Sequence, residues 1–137
     1  MIAVTLAIHA TGSAYWLGFV GKWRASRKSS ERTLHLTVDI LSTGMMLLLL
    51  HFFEALLWAI LYRVLPSQVG LTSFREALYF SLVSFTTLGY GDVTLSPQRE
   101  LLGPMEAMAG ITVIGLTTAL LFAVIQRSWK IGHGKKS

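Results

Sequence analysis

Thr86-Thr87-Leu88-Gly89-Tyr90-Gly91-Asp92 is the stretch from which the rest of the chain is read. Two glycines flank a tyrosine, two threonines precede them and an aspartate follows. Glycine takes up backbone angles that residues with a Cβ avoid, so glycine alternating with larger residues can hold successive backbone carbonyls facing one side. The competing reading is a glycine-rich turn closing an apolar helix. The flanking sequence decides between the two.

Just upstream, Ser73-Phe74-Arg75-Glu76 has the form of a capping box, in which the serine bonds the third backbone N–H and the glutamate reaches back. A short helix over Phe74 to Phe85 is predicted, too short to cross a bilayer. Before it, a long apolar helix runs from about Leu36 to Leu65, ended by Pro66 and Gly70. After the loop, Ser96-Pro97 offers a cap with proline at the first helical position. Leu101 to Ile125 is then the last long apolar stretch. The order is long helix, short helix, loop, long helix. A short helix and irregular backbone between two spans form a re-entrant segment, which is tolerated at membrane depth only where protein buries it or where it lines water.

The composition agrees. The chain has 137 residues, 53% of them hydrophobic, high for a soluble domain and too few for a sizeable soluble regulatory domain beside the spans. It has no cysteine, so no disulfide forms. Met1 to Gly21 carries no charged side chain and is about long enough for a further span. It lacks the basic start and small-residue cleavage site of a signal peptide. His9, Thr11 and Ser13 lower its hydrophobicity.

The net charge of +5 is read by position rather than as a nucleic-acid footprint. Lys22, Arg24, Arg27, Lys28 and Arg32 crowd a linker over 22–35, and Arg127, Lys130, Lys135 and Lys136 close the chain. The linker arginines lie among Ser26, Ser29 and Ser30, not at every third position of an apolar helix, so they do not form a voltage sensor. Both clusters are expected on the cytoplasmic side, the linker and the tail over 128–137. The loop then enters from outside, and the N-terminus lies outside if 1–21 spans.

The stretch 86–92 resembles the potassium-channel signature T-x-G-Y-G-D, with Leu88 where valine is commonest. Over about Leu36 to Arg127, with Tyr79-Phe80-Ser81, Arg99, Glu106-Ala107 and Gly110, the chain is similar to the two-helix pore module of bacterial potassium channels. The resemblance implies an all-α membrane protein: three transmembrane helices with a re-entrant pore helix and filter loop, assembled as a tetrameric pore. The N-terminal helix lies outside it. In that family the carbonyls of Thr87, Leu88, Gly89 and Tyr90, with the Thr87 hydroxyl, replace the water around stacked potassium ions. Gly89 and Gly91 would permit that geometry, and Thr86 and Asp92 would support it. One chain supplies one strand of carbonyls, so a homotetramer is implied. The short helix would point its negative carboxyl end at the pore. Tyr79 and Phe80 stand where tryptophans often occur, and Val83 where some members have glutamate; these departures bear on filter stability.

The implied function is passive potassium-selective conduction through a bacterial inner membrane, with no enzyme activity, no cofactor beyond the permeant ion and no nucleic-acid partner. A weakly selective cation channel is the alternative within the class, and a non-conducting modulatory subunit a further one. Gly110, in the last helix, is a candidate gating hinge or a site of close packing. His51 and Glu54 share a helix face with Trp58, a stripe extended by Gly44, Leu48, Ala55 and Tyr62. Ionisable groups at that depth are costly. They are either a proton-sensitive pair or a buried contact to the first or the short helix. Glu106 reads as a brace behind the loop, and Asp39 as a partner of the basic linker. A membrane metalloenzyme using His9, His35, His51 and Glu54 is the reading from another class, weakened by the absence of ligand pairs repeated along several helices.

Overall fold

The computed structural model describes residues 1–25, 32–65 and 70–133. They form four helices: α1 (Ile2–Ala25), α2 (Arg32–Val64), α3 (Phe74–Phe85) and α4 (Leu102–His133). Three contain apolar windows long enough to cross a membrane, at Ile2–Trp23, Leu34–Val64 and Leu102–Gln126. The chain is an all-α multi-pass membrane protein.

The helices overrun the apolar stretches that predicted them. Residues 22–25 of the expected linker belong to α1, and 32–35 to α2. Lys22-Trp23-Arg24-Ala25 contains no glycine or proline, so the helix runs on past the end of the apolar stretch. α4 likewise continues through the first part of the expected tail, past Gly132, to His133. Residues 26–31, Pro66 and 134–137 lie outside the described residues. The last helix begins later than the Ser96-Pro97 cap predicts. Residues 97–101 are turns, held by Arg99 N–H to Ser96 O at 2.8 Å and Leu102 N–H to Arg99 O at 3.0 Å. The first turn of α4 instead accommodates Pro104, whose missing N–H has no intrahelical partner to lose there.

α3 lies between α2 and α4. Its inner face is Ala77, Phe80, Ser81 and Phe85, all buried at helical spacing. They meet Ala55, Trp58, Ala59 and Tyr62 of α2 and Ala109 and Val113 of α4 in one core. The alanines let helix backbones approach closely, as membrane helices without a hydrophobic drive between them require. Ser73 caps α3 as expected, its hydroxyl accepting from Glu76 N–H at 3.1 Å. On the reciprocal side Glu76 Oε2 reaches back to the N–H and hydroxyl of Thr72, both at 2.8 Å.

α1 packs on α2 and α4 with its polar residues inward. Thr5, His9 and Ser13 are buried while Val4, Tyr15 and Phe19 face outward. Trp58 Nε1 donates to Thr5 Oγ1 at 3.0 Å and Trp16 Nε1 to Thr43 Oγ1 at 3.2 Å, tying α1 to α2. The stripe on α2 is shifted from the expected one. Leu48 faces outward and Leu47 is buried, so the inner line runs Thr43, Leu47, Glu54, Trp58 with Ala55 and Tyr62 beside it.

Candidate functional site

The 86–92 loop leaves α3 directly. Thr86 caps the helix, its N–H reaching Leu82 O at 3.2 Å and its hydroxyl the same carbonyl at 2.7 Å. Three further N–H groups turn back: Thr87 to Ser84 O at 2.9 Å, Leu88 to Val83 O at 2.9 Å and Gly89 to Val83 O at 3.3 Å. In a trans peptide the carbonyl points opposite to the following N–H. The carbonyls of Thr86, Thr87 and Leu88 therefore project away from the helix end.

Thr87, Gly89 and Gly91 have φ of 60°, 59° and 75°, so every second residue is left-handed. Reversing the backbone hand at alternate residues undoes the half-turn that a strand makes between neighbouring carbonyls. Glycine takes this conformation freely. Thr87 is β-branched and strained by it, and such strain collects at functional sites. Leu88 and Tyr90 are 54% and 67% exposed, leaving the loop open to whatever surrounds it.

Two contacts hold this loop. Tyr79, on the outer face of α3, donates its hydroxyl to Asp92 Oδ2 at 2.6 Å. That bond holds the phenol above its usual range. Behind α3, the buried Glu106 of α4 accepts from Tyr62 of α2 at 2.6 Å and from the Ser81 hydroxyl of α3. The same Ser81 hydroxyl lies 2.6 Å from Ala55 O, so its one proton is shared between two possible acceptors. One carboxylate thus links all three helices behind the loop. Gly110 lies under the end of α3: a Cβ built on it would collide with the Phe85 carbonyl oxygen and stand 2.8 Å from its carbon. This position has a packing reason to be glycine.

His51 and Glu54 fall in a second site, apart from the loop. Glu54 Oε1 lies 3.1 Å from His9 Nδ1 of α1. His51 Nε2 lies 2.9 Å from Thr117 Oγ1 of α4, and His9 Nε2 is 3.3 Å from the same oxygen. The two imidazoles are nearly parallel, 5.2 Å apart. His51 also meets the ring of Phe85, the last residue of α3, at 6.2 Å. His35 stands sixteen residues before His51 on the same helix, on the order of 24 Å away at the helical rise. Asp39, expected to meet the basic linker, is buried, and Arg27 and Lys28 of that linker lie outside the described residues. Sequence reasoning passed over Thr117, which looks like its neighbour Thr118 in an apolar helix.

Comparison with known proteins agrees with this arrangement. A family model described as "Ion channel" matches residues 45–127. The TWiK family of potassium channels protein 18 of Caenorhabditis elegans is 38% identical over 111 residues, 79% of this chain and 22% of that protein. The potassium voltage-gated channel protein shk-1 of Caenorhabditis elegans is 42% identical over 53 residues, 38% of this chain and 10% of that protein. The chain thus spans about a fifth or less of these relatives' own lengths. No solved structure matches it. The short helix α3, the loop after it and most of the flanking helices α2 and α4 fall inside the matched region, and the chain belongs to the two-helix pore-module ion-channel family.

Proposed function

We propose that four copies of this chain surround a potassium-selective pathway, conducting passively and without catalysis. The observation that carries this is the alternation of left-handed backbone at Thr87, Gly89 and Gly91. It favours carbonyls of Thr87, Leu88, Gly89 and Tyr90 lined up as ligands for dehydrated potassium. A single strand of carbonyls does not encircle an ion, so the site is completed by neighbours, and the exposed Leu88 and Tyr90 are where they would pack. The carboxyl end of α3 adds a partial negative charge behind the ions. In this reading the basic tail and linker face the cytoplasm, the loop opens outward, and residues 1–21 bring the N-terminus outside.

The test is ion flux from liposomes holding purified protein. Potassium should pass well above sodium, and barium, a divalent ion of similar size, should block. Equal potassium and sodium flux would replace this reading with a general cation channel. A stable dimer alone in native mass spectrometry would remove the fourfold assembly.

A further inference from the structure

The cluster below the loop has the composition of a metal centre. His9, His51 and Glu54 each present a ligand atom, and these atoms lie within 4.8 Å of one another. A tetrahedral zinc site has ligand atoms about 3.3 Å apart, from metal–ligand bonds of about 2.0–2.1 Å. The donors therefore need to close by about 1.5 Å at most, within the reach of side-chain torsions. Two imidazoles and a carboxylate are the donor set that suits a borderline transition metal rather than potassium, calcium or magnesium.

Glu54 supplies the second, independent observation. Its side chain is fully buried, and its Oε2 has no hydrogen-bond partner among the described residues. A carboxylate oxygen left unsatisfied at membrane depth is costly. The hydroxyl of Thr117 is also committed to the cluster. Thr112 and Thr118 turn theirs back to Met108 O and Ile114 O, whereas Thr117 directs its oxygen at both histidine Nε2 atoms. It has one proton to give, so it donates to at most one of those two nitrogens. A cation between the imidazoles and the carboxylate would satisfy Oε2 and both rings together.

We infer that His9, His51 and Glu54, with Thr117 beside them, form a binding site for one divalent transition-metal ion per chain, zinc or a metal of like preference. The ion fastens α1, which lies outside the matched region 45–127, onto α2 and α4. Its role is to hold helices, not to catalyse. The site does not rest on the reading of the loop as a potassium filter, because its test is equilibrium binding and not flux.

The experiment uses the full chain, stripped with chelator in detergent and titrated with cobalt(II) as a coloured stand-in for zinc. Wild type should bind one cobalt per chain with the visible absorption of a tetrahedral site, and zinc should displace it and raise the thermal midpoint. His9→Gln and His51→Gln should each weaken binding on the order of a hundredfold or more, and Thr117→Val about tenfold, in line with losses at and around metal ligands. Glu54→Gln keeps the shape of the side chain and should also abolish the tetrahedral spectrum. His35→Gln, outside the cluster, should leave binding unchanged. The inference is overturned if wild type gives neither the spectrum nor the thermal shift, a result that needs no variant to fold. It is equally overturned if binding follows His35 and not His9, His51 and Glu54.

Discussion

Tyr79 donates a 2.6 Å hydrogen bond to Asp92 across the loop that separates them, so the residue leaving 86–91 is held by the helix that enters it. The neutral phenol is the donor. Its pKa is raised, chiefly by that bond, so the bond contributes at pH below tyrosine's ordinary value of about 10 and is lost as pH rises through the raised value. Tyr79→Phe and Asp92→Asn should both loosen the loop, lowering potassium-over-sodium flux or shortening the conducting state. Wild type should keep its selectivity from neutral pH up to about 10. Unchanged selectivity and open lifetime in both variants would show that the bond does not brace the loop.

Tyr62 and Ser81 converge on Glu106, and each also has a backbone carbonyl within reach, Leu102 O at 3.4 Å and Ala55 O at 2.6 Å. Tyr62→Phe leaves a buried acceptor one donor short, a loss of about 1–3 kcal/mol. Ser81→Ala removes the hydroxyl whose one proton Glu106 and Ala55 O compete for. Both should lower the thermal midpoint of the assembly in detergent. Because they share one partner, the double variant should depart from additivity by about 0.5 kcal/mol or more. Strict additivity would mean that Glu106 does not couple them.

Glu76 predicts the behaviour in acid. The Thr72 hydroxyl, and then its N–H, hold the Glu76 carboxyl below its ordinary value of 4.5. A depressed carboxylate stabilises the fold above its unfolded pKa, and that contribution disappears as pH falls through the folded value. Wild type should therefore lose thermal stability on acidification more steeply than Glu76→Gln, and only below about pH 4.5. The carboxylate lies at the surface of a partly buried residue, so the difference should be small and should shrink with salt. Parallel pH profiles for the two proteins would remove Glu76 from the account.

The short helix and the loop were legible in the sequence because their signals are local. Ser73 caps within three residues, and glycines at 89 and 91 mark the backbone they occupy. Helix ends were less legible: Lys22 to Ala25 mark a change of charge, and no change of backbone follows from it. Partners across helices were legible on one side only. His51 and Glu54 stand out as costly groups in an apolar run, but Glu54 faces His9 and His51 faces Thr117. Those pairings depend on how three helices rotate against one another. Helical periodicity narrows that rotation to a face, not to an atom. Leu48, expected on the inner stripe and found facing outward, shows the width of that margin.

Gly110 and Gly115 separate packing from bending. They lie five residues apart on α4, and both lack a side chain to stiffen the helix. Only the first is hemmed in: a Cβ on Gly110 meets the Phe85 carbonyl, whereas nothing stands within 4 Å of one on Gly115. Gly110→Ala must push α3 away from α4 at the point where the loop begins, an overpacking cost of about 1–3 kcal/mol. It should lower the thermal midpoint and disturb selectivity together, because the displaced backbone is that of Phe85 and Thr86. Gly115→Ala should be neutral or slightly stabilising, since alanine favours helix by about 1 kcal/mol over glycine. A hinge at Gly110 gives another pattern: unchanged thermal midpoint and selectivity with altered open probability. Thermal unfolding, flux ratio and single-channel records on the two variants distinguish these outcomes.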